Sequence, residues 1–584
     1  MNAFLSITFM VSFLIMFSGV YIFKKSKGAL NGIIWVVPSL FICFFYFAFS
    51  FGVLTVFKVP VNLVSGIIVC LLGSAATWFF AVRKKMMQKF FFCATDLICV
   101  LLIGIFSFYL GFKRFGISLT PVYETSDPSV HLQMAMDVVN TGTLDRMFFS
   151  GLINSFAIQA SSFILKPAFY YRAFVLADII FFAISGIMLY SALSSRTNSS
   201  IKKVIALVLT LFYIIGYPLN NMLFGFCYWG ISVTVIALII MLTYYIEDAE
   251  YNRAFSTAAL MMALFSVSMG YILYAPLVYI GVFITVALIY KKSGKKFFGK
   301  EHICRQLALF AAPVILTLYH FVVKQHGVSM GGLTGEGYIY RDLFSNFLFF
   351  AFPVLIMICK CIKEKKVSPP TVMFAVFLIY VLGAFVLMYK GILSSYYFYK
   401  VHYPLMMICF FIAFELVAET ETKMLYRPVC YLAVVCLLFA GAQTNIETRI
   451  RNKNVLYNSR AVMPELFDLY EFNKNRINGT DRENRTVSWH QRIELYSYVM
   501  ENCEPDNNVY LFDDWLNVYW YEAVTSQRFA VYEWNGKEEF ESFCKNCEYA
   551  AVIPASDSGK NNAELLRAGK VIYKNEIGYV VKLK

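Results

Sequence analysis

Apolar runs of about 20 residues recur along most of this sequence, and they limit the possible folds more than any other feature. The first, NAFLSITFMVSFLIMFSGVYIF (2–23), carries no charge. A helix rises about 1.5 Å per residue, so each run can cross the roughly 30 Å hydrocarbon core of a bilayer. Lipid offers no partner to backbone N–H and C=O groups, which leaves helices or closed barrels. Continuous rather than alternating apolar runs exclude the barrel. Composition agrees: 59% of the 584 residues are apolar and only 15% charged, against about 25% charged in soluble domains. The expected fold is a polytopic α-helical membrane protein of about 14 spans. They fall near 3–23, 32–56, 60–82, 92–112, 168–193, 203–218, 222–246, 254–270, 271–290, 303–323, 343–361, 371–389, 401–418 and 426–443.

Charge then sets the topology. The net charge of +14 would suit nucleic acid, but most Lys and Arg sit in short loops between spans, so no nucleic-acid partner is expected. KKSK (24–27), RKKMMQK (83–89), the 194–203 loop with Arg196, Lys202 and Lys203, KKSGKKFFGK (291–300) and KCIKEKK (360–366) all fall on one side of the bilayer. By the positive-inside rule that side is cytoplasmic. The first run has no basic segment before it, so it reads as a span rather than a cleaved signal, with its N-terminus outside. If FFSGLINSFAIQASSFIL (148–165) also spanned, every later loop would change sides. It is expected instead as an interfacial or re-entrant helix within one long outer loop, 113–167. GYPLNN (216–221) is expected as a short outer turn, and 322–346 and 389–403 as further outer loops. The locale is the plasma (cytoplasmic) membrane, crossed many times, with both termini extracytoplasmic.

The chain divides into a membrane domain, 1–443, and a polar tail, 444–584. In the tail, NVYLFD (508–513), RFAVYEW (528–534), YAAVIP (549–554), KVIYKN (570–575) and YVVKL (579–583) read as strands, with helices over 540–547 and 562–569. That pattern makes a small extracytoplasmic α/β domain. Cys544 and Cys547 form a lone CxxC with no partners that would make it a zinc or redox site. Neither a Walker A loop nor GxGxxG occurs, which argues against an ATP-driven pump.

The chemistry concentrates in PVYETSDPSVHLQMAMDVVNTG (121–142), where Glu124, Asp127, His131 and Asp137 stand beside a membrane span. Asp127 followed by Pro128 is a helix-start signal, Asp at the N-cap and Pro at the first helical position. Val130, Met134, Ala135, Val138 and Val139 then recur at helical spacing, with Gln133, Asp137 and Asn140 on the other side. This predicts an amphipathic helix along the membrane surface, ended by Asn140 and Gly142, with His131 one turn after Asp127 on the same side.

SDPSVH (126–131), opening a juxtamembrane helix in a long outer loop, with a second such helix, a multi-span core and an extracytoplasmic tail, resembles the GT-C superfamily. GYPLNNMLFGF (216–226) and SSYYFYK (394–400) are similar to segments of bacterial membrane proteins of this type. The chain has more spans before the key loop than the single one of familiar members. An Asp-Pro pair also replaces the paired acids many of them carry, so use of a divalent metal stays open. The resemblance implies transfer of a sugar from a polyprenyl-phosphate donor to a cell-envelope glycan, lipid or protein acceptor, with inversion. Asp127 would be the base for the acceptor hydroxyl, with Glu124 and His131 beside it.

Such a site needs cations for the departing phosphate. The candidates are Lys400 and His402 at the start of a span, Arg341 in the Gly-rich outer loop and, more weakly, Lys390. Tyr396 and Tyr397 would line the sugar. Within the spans Asp178 is costly, and Arg172, about one and a half turns earlier, is its expected partner. Asp96 and Glu415, near cytoplasmic helix ends, are expected to be solvated. The competing reading is a transporter or flippase for a lipid-linked or surface-polymer substrate. That would favour ionisable groups at mid-membrane, whereas here they gather at the outer rim.

Overall fold

The computed structural model describes residues 2–144, 148–247, 252–292, 299–324, 344–364, 367–428, 430, 431, 434, 468–478, 481–504, 508–511, 515–526, 529–530 and 547–583. Helices dominate: α1 (Asn2–Ile22), α2 (Gly32–Leu54), α3 (Leu63–Arg83), α4 (Ala94–Phe115), α5 (Asp127–Thr141), α6 (Phe148–Ser161), α7 (Tyr170–Ser194), α8 (Ser200–Ile215), α9 (Tyr217–Phe224) and α10 (Cys227–Glu247). Then come α11 (Arg253–Gly270), α12 (Ala275–Lys292), α13 (Lys300–Leu318), α14 (Phe344–Glu364), α15 (Pro369–Tyr389), α16 (Ser395–Lys400) and α17 (His402–Glu419).

Among the described residues 12 helical segments are long and apolar enough to cross a bilayer. The expected span at 343–361 is present as helix α14, whereas 426–443 lies largely outside the described residues. Helices α7, α10 and α17 are buried almost throughout, while α13 and α15 turn most of their surface outward. The apolar outer faces suit contact with lipid, and the core of the bundle runs along α7, α10 and α17.

The basic loops gather at one end of the bundle. Lys24 N–H donates to the Met86 carbonyl at 2.7 Å, and Leu30–Asn31 (β1) pairs in parallel with Phe90–Phe91 (β2). Lys202 reaches the Ala418 carbonyl at 2.6 Å, and Lys360 pairs with Glu419. At the other end lie α5, α6 and α9. One expectation changes there. Residues 216–221 are not an open turn: Tyr217–Phe224 is helical and extends α8, and the chain reverses at Gly225. The segment 148–165 forms a short helix, α6, packed into the bundle, as a re-entrant helix would be. Phe156 packs against Phe9, Phe47 and Phe51 at ring separations of 5.0, 4.7 and 5.4 Å.

In the tail, α18 (Asp468–Asn478), α19 (Asp481–Asn502) and α20 (Trp515–Val524) accompany a sheet of β3 (Asn508–Leu511), β4 (Phe529–Ala530), β5 (Tyr549–Val552), β6 (Lys570–Lys574) and β7 (Tyr579–Lys582). The order is β4-β3-β5-β7-β6, with β4, β3 and β5 parallel and β7 antiparallel to β5 and β6. All five expected strands are present among the described residues. The expected helix at 540–547 and the proposed division at 443/444 lie outside or at the edge of the described residues. Several contacts fasten the tail to the α5 end of the bundle. Asn473 Nδ2 donates to the carbonyls of Ile215 and Gly216 at 2.9 and 2.7 Å, taking up acceptors that the end of α8 leaves open. Gln133 on α5 donates to the Tyr519 carbonyl at 3.2 Å, and Trp520 stacks on Tyr123 at 5.8 Å. The polar side of α5 therefore meets the tail, not only water.

Candidate functional site

The chain before Asp127 is laid against the end of α9. Glu124 N–H donates to the Leu223 carbonyl at 3.0 Å, and the Thr125 hydroxyl to the Phe224 carbonyl at 2.7 Å. Gly225 ends α9 with φ +75°, a left-handed conformation that costs glycine little. A Cβ at this position would lie 1.9 Å from Cγ of Pro128, so the same glycine leaves room for the ring that opens α5. Asp127 itself sits one residue further in than its sequence suggests. Ser126 is the N-cap, its carbonyl taking the Ser129 N–H at 3.0 Å, and Asp127 is the first helical residue. The carboxylate is thus not used to cap its own helix, and among the described residues it makes no hydrogen bond.

Facing it is Lys400, the last residue of α16. Tyr274 donates to the Lys400 carbonyl at 2.7 Å and in turn receives the Trp229 indole N–H. The side chain is 2% exposed. Its Nζ lies over the rings of Tyr396 (4.0 Å), Trp229 (5.0 Å), Tyr271 (5.0 Å), Phe226 (5.8 Å) and Tyr397 (5.9 Å). No hydrogen bond or ion pair to this Nζ is formed among the described residues. Ring faces attract a cation, but burying an ammonium without a hydrogen-bonding anion is costly. The break between α11 and α12 supplies part of this cage: α11 stops at Gly270, and a short 3-10 turn, Ile272–Tyr274, follows beside Tyr271.

The charges of Asp127 and Lys400 act on each other although they do not touch. Burial raises the Asp127 pKa above its ordinary value, and Lys400 partly offsets this. His131, one turn on, is packed edge-to-face on Tyr228 at 4.4 Å. Part of its surface is open, yet the protein surrounds the ring. Burial first, then the nearby Lys400 charge, pushes its pKa down to about 3. Imidazole is therefore neutral near pH 7, able to exchange hydrogen bonds but not to neutralise an anion.

The remaining sequence candidates divide. Tyr396 and Tyr397 stand at the site. Glu124 lies next in the chain but is buried and occupied, 2.7 Å from Arg114 and 3.1 Å from Arg476 of α18, so it ties the loop to the tail. His402 is buried with Nδ1 3.0 Å from the Phe398 carbonyl, a contact within its own turn. Lys390 is exposed at the end of α15. Arg341 lies outside the described residues. Phe226, Tyr228, Trp229 and Tyr271 belong to the site and were not picked out from the sequence. FCYW (226–229) just after Gly225, and Tyr271 just after Gly270, were the available signals.

Three charged groups differ from expectation. Asp178 is buried without Arg172: the Tyr123 hydroxyl donates to it at 2.7 Å, while the Arg172 guanidinium lies over Phe169 at 4.7 Å. Six residues along one helix carry the two side chains to different faces, so each takes a partner from elsewhere. Asp96 is fully buried rather than solvated, held by Tyr190 (2.7 Å), Ser194 (2.6 Å), Asn31 and Lys203. Glu415 is buried as well, bound by the Tyr244 hydroxyl and by Ser368 at 2.7 Å.

The described residues around Asp127 do not make a divalent-cation site. Lys400 faces them, Glu124 is committed to two arginines, and among the described residues no group of three or more His, Cys, Asp and Glu could hold a metal.

No family model and no curated protein matches the chain. Solved structures that it is similar to include the oligosaccharyltransferase of Archaeoglobus fulgidus in the apo form, at 12% identity and TM-score 0.37, covering 83% of this chain and 74% of that one. Another is the archaeal oligosaccharyltransferase AglB from the same organism in complex with an inhibitory peptide and a dolichol-phosphate. It is 12% identical, with TM-score 0.39, over 84% of this chain and 75% of that one.

Proposed function

We propose that this chain is an integral-membrane glycosyltransferase that moves a sugar from a polyprenyl-phosphate donor to an extracytoplasmic cell-envelope acceptor with inversion. The observation that carries this reading is the pairing of an uncapped carboxylate, Asp127, with a buried ammonium, Lys400, that has no anion of its own. In a single displacement the acceptor oxygen bonds to the anomeric carbon while the bond from that carbon to the phosphate oxygen breaks. Asp127 takes the acceptor's proton, and its raised pKa makes it a stronger base than a solvated carboxylate. The polyprenyl phosphate leaves with the bonding electrons, and Lys400 stabilises the charge it gains. Tyr396 and Tyr397 offer ring faces and hydroxyls to the sugar. Neutral His131 holds a hydroxyl of donor or acceptor without competing for the phosphate. Glu124 positions the loop through Arg114 and Arg476.

The test is turnover of a labelled polyprenyl-phosphate sugar by the full chain in liposomes supplied with cell-envelope acceptors. Asp127→Asn should lower transfer by about 10²–10⁴-fold with unchanged thermal unfolding. Retained transfer in that variant excludes Asp127 as the base. Movement of an unmodified lipid-linked sugar across the bilayer, with no transfer by the wild type, would favour a flippase instead.

A further inference from the structure

A second feature stands at the opposite end of the bundle. Helix α17 runs from the Lys400 site to Glu415 and Glu419, and 15 residues of helix separate the two regions by about 22 Å. There, the ends of α10, α12, α14, α15 and α17 enclose a chamber of about 920 Å³. Its lining combines apolar side chains, among them Leu288, Met357 and Val372, with charged ones.

The charged lining includes one exposed guanidinium, Arg196. Arg196 lies over the ring of Tyr244 at 3.9 Å. The Tyr244 hydroxyl is held by Glu415, whose second oxygen is taken by Ser368 at 2.7 Å. Both carboxylate oxygens of Glu415 thus have hydroxyl partners. The Arg196 side chain makes no hydrogen bond or ion pair among the described residues. Lys360 is already matched by Glu419 and, at 3.8 Å, by Glu364. Lys291 has no ion-pair partner among the described residues. The ring contact restrains the exposed guanidinium, so less side-chain freedom is left to lose when it binds a planar or tetrahedral oxyanion through two N–H groups.

We propose that this chamber is a ligand site for the phosphate head of an anionic lipid in the leaflet at the basic face. Arg196 is the bidentate clamp, Lys291 the second cation, and the apolar side chains receive the first part of the tail. An amphiphile is the fitting ligand because the chamber joins charged and apolar side chains where the spans end. The inference does not rest on the transferase reading, and failure of the transfer assay leaves it standing.

Cys361 lines the chamber, while Cys359, two residues before it, is exposed and absent from its lining. The full chain in phosphatidylcholine nanodiscs is treated with a maleimide, and each cysteine is followed by peptide mass spectrometry. Phosphatidic acid at four times its Kd should slow Cys361 labelling about fivefold and leave Cys359 unchanged. Arg196→Gln should abolish this protection, Arg196→Lys keep part of it, and Lys291→Gln weaken it, all with wild-type unfolding temperatures. Absent protection, or equal protection in Arg196→Gln and Lys291→Gln, overturns the proposal. So does protection by millimolar inorganic phosphate equal to that by the lipid, which would assign the chamber to a free anion.

Discussion

Lys203 and Lys400 are both buried in the same bundle, 4% and 2% exposed, yet their surroundings have little in common. Lys203, at the basic end, meets Asp96, and that carboxylate also receives Tyr190, Ser194 and Asn31. Lys25, at the same end, donates to the carbonyls of Val20, Tyr21 and Phe23 at 2.8, 2.7 and 3.2 Å, closing the C-terminus of α1. Lys400, at the other end, has ring faces and a carboxylate held apart from it. A buried charge that stabilises a fold is surrounded by partners, because leaving any of them out is costly. One left without partners is set aside for something that arrives later. That contrast, more than burial itself, separates the two ends of the bundle, and the proposed function places its reaction at the second.

The comparison can be broken by the same substitution at both places. Lys203→Met leaves Asp96 buried without its cation, and it should lower unfolding stability by about 3–5 kcal/mol, read by thermal denaturation in detergent. Lys400→Met removes an unmatched charge from an aromatic cage. It should leave the unfolding temperature unchanged or raised, while labelled transfer falls about 10²–10³-fold. If Lys400→Met unfolded the protein and Lys203→Met did not, the assignment of the two ends would be reversed.

Gly225→Ala sharpens the same contrast at the loop. The new methyl meets Pro128 in a left-handed turn, and a displacement of about 1 Å at Asp127 should reduce transfer on the order of 10²-fold. Stability should fall by about 1–3 kcal/mol. Equal loss of transfer on replacing Gly383, where a Cβ meets nothing within 4 Å, would remove the special role of Gly225.

The pH effects are smaller. The proposed reaction requires ionised Asp127, so the acid limb of the rate profile should lie above the ordinary carboxylate value of about 4, in keeping with its raised pKa. His131, held down near 3, is neutral in the folded chain and protonated below about 6.5 in the unfolded one. The unfolded state binds the extra proton, so stability drops as pH falls through 6.5 towards 3, by about 1 kcal/mol per pH unit at first. His131→Gln should flatten that slope in unfolding measured between pH 7 and 5. An unchanged slope would mean that another group supplies it.

Much of this architecture was legible in one dimension. The spans, the gathering of basic loops at one end, the helix after Asp127 and the five strands of the tail all follow from runs, periods and charges that neighbours in sequence already display. The errors lie where a side chain's fate depends on a distant element. Asp96 and Glu415 sit near helix ends, where water is the natural partner, and only the arrival of Lys203 in one case and of Tyr244 and Ser368 in the other makes burial affordable. Arg172 and Asp178 were close in sequence but on different faces of α7. Residues 216–221 carry turn residues, yet Pro218 at the start of a helix is as favourable as in a turn, and packing of α9 against the tail decides between them.

By itself the sequence determined that the chain crosses a bilayer many times as helices, because no other backbone arrangement satisfies its polar groups there, and that an acid opens a helix beside the membrane. Tertiary structure alone decided which charges are spent and which are spared. Asp127 from the start of α5, Lys400 from the end of α16 far along the chain, and Phe226, Tyr228, Trp229 and Tyr271 from the start of α10 and the turn after α11 meet only after packing. Burial and partnership belong to the assembled neighbourhood, and no residue carries them in advance.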